Sequence, residues 1–133
     1  MSAIRLKIDL STVLMTDIKL WNKAKKDYSS LYIAVDTGAS ITTISKEILY
    51  HAGYDISAGA VNKFTTASGV EYVRAIVLEK IKLDTLEISD VLVYAHTFPQ
   101  ESFVAGVLGL NVLSKFDVNI LFSKSLMELS LIP

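Results

Sequence analysis

Apolar and polar residues alternate from the start of the chain: Ile4, Leu6, Ile8 and Leu10 are interleaved with Arg5, Lys7 and Asp9. That period of two predicts a strand with one buried face. Val13 to Trp21 predicts a second strand. The charged stretch Lys23, Lys25, Lys26 and Asp27, ending in Ser29-Ser30, reads as the solvated end of a hairpin. Tyr32 to Val35 is short and wholly apolar, as suits a strand buried on both faces. Ile44, Ile48, Leu49 and Ala52 then recur at helical spacing, with Ser45 as N-cap and Gly53 as helix stop. Phe64 to Leu83 reads as two strands around Ala67-Ser68-Gly69, and a further strand pair turns near Asp84-Thr85. Val91 to Tyr94 is strand-like. Gly109 to Phe116 allows one short helix, and Val118–Phe122 with Leu126–Ile132 form a closing hairpin around Ser123-Lys124-Ser125. The pattern is mostly β, with one or two short helices.

Length and composition narrow the classes. The chain has 133 residues, 51% of them hydrophobic, which excludes intrinsic disorder and matches a single domain spanning 1–133. No repeat and no Pro/Gly/Ser-rich linker divides it. Thirteen basic and fourteen acidic residues leave a net charge of -1, which argues against an electrostatic nucleic-acid binder. There is no cysteine, so disulfides, thiolate catalysis and Cys-based zinc sites are excluded. His51 and His96 are too few for a histidine-rich metal cluster. The longest uncharged run, Ser102 to Ser114, is too short to span a bilayer, so no membrane insertion is expected. MSAIRLKIDL lacks the continuous apolar core of a signal peptide, which makes the cytoplasm the expected location.

The segment that carries chemistry is Tyr32-Ile33-Ala34-Val35-Asp36-Thr37-Gly38-Ala39-Ser40. A carboxylate directly after an apolar strand is expensive unless it is paired, hydrogen-bonded or neutralised. Thr37 can supply a hydroxyl, and Gly38 permits close backbone approach. Read alone, these three residues fit a positioned carboxylate, and they fit an ordinary turn between strand and helix as well.

The wider context resembles the retroviral-type (retropepsin-like) aspartic proteases. The apolar residues, Asp36-Thr37-Gly38-Ala39-Ser40 and the following Ile41-Thr42-Thr43-Ile44-Ser45 are similar to the active-site segment of that family. Ala105-Gly106-Val107-Leu108-Gly109-Leu110-Asn111-Val112-Leu113 is similar to its apolar-apolar-Gly element leading into a short helix. Phe64-Thr65-Thr66-Ala67-Ser68-Gly69-Val70 stands where the family places a flap hairpin. The resemblance implies the single-lobe acid-protease fold, a closed β-barrel. It also implies a homodimeric aspartic endopeptidase with one Asp36 from each protomer and no metal or organic cofactor. Two carboxylates that close share a proton; one acts as general base on a water while the other polarises the peptide carbonyl. Thr37 would bond across the dimer beneath the pair, and Gly38 would offer its backbone to substrate. Ala67, Ser68 and Gly69 would form the flap tip, with Ser40 lining a pocket, and Ile41 either beside it or in the core, of a site that takes an extended peptide as an added strand. Terminal strands with edges to cover agree with a dimer.

Viral members carry an acidic residue at the position of Ser40 and an arginine at that of Leu110, which form an ion pair near the dimer interface; both charges are missing here. A Ser-His-Asp hydrolase has no Gly-x-Ser-x-Gly support. His51 reads as a surface residue, His96 as a loop residue just past a strand, and Trp21 as core or interface packing. The rival from another class is a non-catalytic dimerisation or peptide-binding module that retains the protease fold. Intact Asp36-Thr37-Gly38 favours the enzyme. Met1 together with the complete motif set points to an independent product.

Overall fold

The computed structural model describes residues 3–10, 13–67, 69–98 and 104–133, apart from the side chains at 64 and 66. Among them are ten strands and two short α-helices. The strands are β1 (Ile4–Leu10), β2 (Leu14–Asn22), β3 (Asp27–Val35), β4 (Thr42–Ser45), β5 (Ala60–Thr66), β6 (Gly69–Leu83), β7 (Leu86–His96), β8 (Gly106–Leu108), β9 (Phe116–Leu121) and β10 (Leu126–Leu131); the helices are α1 (Lys46–His51) and α2 (Leu110–Leu113).

The alternation in β1 and β2 is cashed in as burial. Leu6, Ile8, Met15, Ile18 and Leu20 are buried, whereas Arg5, Lys7, Asp17 and Lys19 are exposed. Within Tyr32–Val35 both faces are buried at Ile33 and Ala34, adjacent residues that point to opposite sides, whereas Tyr32 is exposed. Ser29 and Ser30 belong to β3 rather than to the hairpin end, which is confined to Lys23–Lys26. The cross-strand pairs Trp21↔Tyr28 and Asn22↔Asp27 extend the ladder that far.

In the sheet the strands run β5-β6-β7-β4-β8-β3-β2-β1-β10-β9, with an additional β6–β2 pairing. That pairing, Lys19↔Lys82 and Leu20↔Ile81, closes β2, β3, β8, β4, β7 and β6 into a ring. The core inside it is built from residues such as Ile18, Leu20, Ile33, Ile44, Leu78, Val93 and Leu108, all almost fully buried. Two appendages leave the ring: the hairpin β5–β6, and the sheet β1–β10–β9. The terminal strands β1 and β10 pair with each other (Ile4↔Leu129 to Lys7↔Leu126), so each covers the other's edge, and β9 is the end strand of the sheet.

The helices are shorter than their sequence patterns. Ile44 falls in β4, so α1 begins at Lys46; Ser45 is its N-cap residue without a side-chain cap bond, and Gly53 follows the C-cap Ala52 at φ +89. Only Leu110–Leu113 of the Gly109–Phe116 stretch is helical. His96 is the last residue of β7, not a loop residue beyond it. Trp21 lies half-buried on the outside of the ring. Its ring meets Tyr28 edge to face, with the Lys80 ammonium 4.2 Å from its centroid. No helix among the described residues is long and apolar enough to cross a membrane.

Candidate active site

Asp36 follows the last residue of β3, and its backbone N–H donates to the Leu108 carbonyl at 3.0 Å, carrying the β3–β8 ladder one step further. β8 is parallel to β3 and antiparallel to β4, so the chain leaves β3, turns through residues 36–41 and returns as β4 on the far side of β8. The Asp36 carboxylate is held by its own loop: Oδ1 accepts from the Gly38 N–H at 2.7 Å. A Cβ on Gly38 would stand 3.0 Å from that oxygen. The Asp36 carbonyl also accepts from the Ala39 N–H at 3.3 Å. Asp36, Thr37, Gly38 and Ser40 are all exposed.

The loop is braced from below by the start of α2. Leu110 N–H donates to the Ala39 carbonyl at 2.8 Å and Asn111 N–H to the Ser40 carbonyl at 3.1 Å. Thr42 and Asn111 form the centre of this brace. Asn111 Oδ1 accepts from the Thr42 N–H and from the Thr42 hydroxyl, both at 2.8 Å. The Thr42 hydroxyl in turn accepts from the Gly109 N–H at 3.0 Å, and Asn111 Nδ2 donates to the Leu92 carbonyl at 2.7 Å. One asparagine thus ties α2, β4 and β7 together. Gly109 is required by space: a Cβ there would come within 2.8 Å of the Ala39 carbonyl oxygen, 2.9 Å of the Ile41 carbonyl carbon and 3.0 Å of the Thr42 nitrogen.

Sequence reasoning singled out Asp36, Thr37, Gly38 and Ser40, and the structure brings them together in one loop. Thr42 and Asn111 lie within the sequence motifs, which do not by themselves assign either residue a role. Their signal was available: a polar residue opening an apolar strand and an asparagine opening an apolar helix both require partners once buried. Ser40 and Leu110 flank the same brace through their backbones, so the two positions whose charges are missing do lie side by side. Ala67 and Gly69 belong to the hairpin turn, where the pair Thr66↔Gly69 closes the ladder and Gly69 has φ +130. Ser68 lies outside the described residues.

The cross-strand registers also define a row of residues on the face of the sheet turned away from the core: Ala34↔Val107, Val107↔Thr43, Thr43↔Tyr94 and Tyr94↔Ala75. Paired residues point to the same face, and so do residues two apart on one strand. The opposite row, with Ile33, Gly106, Ile44 and Ala95, is buried in the ring. Ala34 is itself buried and Val107, Thr43, Tyr94 and Ala75 are half-buried; continued from Ala34, the row leads to the exposed Asp36. Exposed apolar side chains stand near it: Leu110 at 41% and Val13 at 43%, which the β2–β3 register, continued two residues, sets opposite Asp36.

Comparisons with known proteins agree with this geometry. The family model described as gag-polyprotein putative aspartyl protease matches residues 25–115. Among solved structures, a retropepsin-like aspartic protease from Rickettsia conorii superposes with a TM-score of 0.70. It shares 19% sequence identity, and the match covers 96% of this chain and 89% of that one. At that identity the likeness speaks for the fold. A search of curated protein sequences finds no match. With the matched segment running from the β2–β3 hairpin to α2 and containing the whole Asp36 loop with its brace, the chain belongs to the gag-polyprotein putative aspartyl protease family and has the retropepsin-like fold.

Proposed function

We propose that the chain is an aspartic endopeptidase that works as a homodimer, with the Asp36 carboxylates of two copies meeting at one site. The observation that carries this reading is the loop itself. Asp36 is positioned by the Gly38 N–H and a braced backbone, yet it stands at an exposed surface beside the exposed Val13 and Leu110. A second copy laid over this surface would cover the apolar side chains and bring the two carboxylates into contact, which makes them share a proton.

In that assembly the ionised Asp36 takes a proton from the water held between the pair as the water attacks the peptide carbonyl carbon. The protonated Asp36 donates to the carbonyl oxygen. Collapse of the tetrahedral intermediate breaks the C–N bond, and the proton passes to the leaving nitrogen. Gly38 and the β5–β6 hairpin supply backbone groups to an extended substrate, and the hairpin tip with Ala67, Ser68 and Gly69 closes over it. Ser40 lines a pocket beside the loop. The terminal strands cover one another's edges within a single chain, so the dimer contact is the Asp36 surface; among the described residues β5 and β9 stand at the two ends of the sheet. A reducing cytoplasm is the proposed setting of a chain without cysteine.

The test is cleavage of a diverse peptide library, from about pH 4 to pH 8, by the protein and its Asp36→Asn variant at several concentrations. Activity that disappears in the variant and falls per molecule on dilution supports the shared pair. Activity that survives Asp36→Asn refutes it. A folded dimer that binds peptides and cleaves none is the outcome expected of a peptide-binding module.

A further inference from the structure

The row on the face away from the ring core, which leads to Asp36 at one end, leads to a charged pair at the other. From the row Ala34–Val107–Thr43–Tyr94–Ala75, Asp36 lies two residues on along β3. Because β7 runs antiparallel to β3 through β8 and β4, two residues on from Tyr94 along β7 lie in the opposite direction, at His96, which opposes Ser45. On β6 the same face continues from Ala75 through Val73 to Glu71, at the root of the hairpin. His96 Nε2 and the Glu71 carboxylate stand 3.6 Å apart there, with side chains 30% and 44% exposed. Next to Asp36 this face is apolar, with Ala34 buried and Val107 half-buried, and beyond the buried Val73 it turns polar and acidic at its far end.

The basic residues of the hairpin do not neutralise Glu71. Lys63 opposes Tyr72, on the other face of the hairpin. Arg74 opposes Ala95, on the opposite face of the strand from Glu71, and donates its guanidinium to the Gly59 carbonyl at 3.0 Å. Among the described residues the ion-pair partner of Glu71 is His96. An ammonium or guanidinium group arriving on this face would meet a half-exposed carboxylate with a partner it can displace.

We propose that Glu71 selects a basic residue of the substrate at a position remote from the bond that is cut, with His96 holding the empty carboxylate in place. This rests on the reading of the chain as a protease. Three strand spacings separate β3 from β7, about 14 Å, and the offset along the strands adds about 13 Å, giving roughly 20 Å in the plane of the sheet. Curvature of the ring shortens that path. At about 3.4 Å per extended residue, the selected lysine or arginine lies about four to six residues from the scissile bond. Twofold symmetry would place one such site on each side.

The experiment uses matched extended peptides that carry Lys, Leu or Glu at each of those positions in turn. Cleavage by the full chain is expected to favour Lys over Leu by about fivefold to tenfold at one position on either side, as a partly exposed ion pair allows. Glu71→Gln is expected to bring that ratio close to one, Glu71→Lys to favour the Glu peptide instead, and His96→Gln to keep the Lys preference. Asp36-dependent cleavage with no Lys preference, or with a preference that Glu71→Gln leaves intact, overturns this inference and leaves the proposed activity standing. Binding of the same peptides to the Asp36→Asn protein, followed by fluorescence anisotropy, separates the two ideas. A Lys preference in binding that Glu71→Gln removes supports the site even if no peptide is cut, and its absence overturns the site.

Discussion

Replacing Asn111 by alanine removes the junction beneath the Asp36 loop, and the consequence can be worked from its hydrogen bonds. The side chain accepts two at 2.8 Å from Thr42 and donates one at 2.7 Å to the Leu92 carbonyl. At a net worth of about 1 kcal/mol each, the loss is about 3 kcal/mol. Thr42 is 1% exposed, so its stranded N–H has no water to turn to, and the full cost of an unpaired buried donor applies there. Domains of this size are stable by about 5–15 kcal/mol, so the variant should still fold. Urea unfolding followed through the single tryptophan, Trp21, reads the change directly. With a slope of about 1–3 kcal/mol per molar, the midpoint should fall by about 1–3 M with the slope unchanged. Thr42→Val keeps the backbone bond and should cost less; combined with Asn111→Ala, the two should be less than additive by about 1 kcal/mol, because they share a bond. A loss under about 0.5 kcal/mol for Asn111→Ala, or strict additivity, would show that the loop is held by its backbone alone.

Gly109→Ala drives a methyl group into the backbone at Ala39, Ile41 and Thr42, with contacts of 2.8–3.0 Å. It should destabilise by about 1–3 kcal/mol and lower cleavage further by shifting the Asp36 loop; unfolding midpoints and peptide turnover check both. Gly53→Ala forces a side chain to φ +89 with its Cβ 3.0 Å from the Ala24 nitrogen, so a melting temperature lower by several degrees is expected, equivalent to about 1–2 kcal/mol, without loss of peptide cleavage per folded molecule. The Tyr28 phenol is pushed up from 10.0 to about 12 by burial and by its hydrogen bond to Glu87. The unfolded chain therefore releases this proton first, and the stabilisation is complete below about pH 10 and declines as pH rises toward 12. Unfolding midpoints measured on either side of pH 10 should show that decline in the protein and a shallower one in Tyr28→Phe.

Local order was legible where it is local. Alternation at Ile4–Leu10 and the turn signals at Asp84-Thr85 and Ser123-Lys124-Ser125 mark strands and their ends, because side-chain direction in a strand repeats every two residues whatever lies across from it. The Asp-Thr-Gly segment and the Gly109 element were legible for a different reason: a carboxylate after an apolar run and glycines at a crowded contact restrict which residues can stand there. β4 and β8 escaped as strands because, at four and three residues, they are too short to show a period. The apolar pattern ends β7 before His96, whereas the strand runs on through it, because backbone pairing continues past the last apolar residue.

By itself, the sequence determined the β-rich character, the position of the candidate carboxylate and the family to which the chain belongs. It did so through patterns that neighbouring residues impose on one another. Only the tertiary structure decided how the ring closes, at Lys19↔Lys82 and Leu20↔Ile81, and that β1 and β10 cover one another. It also decided that Asn111 binds Thr42, and that Asp36 and His96 lie on one face. Each of these is a pairing between residues far apart in the chain. A pairing of that kind is fixed by register, and a slip of one residue would turn every side chain to the opposite face.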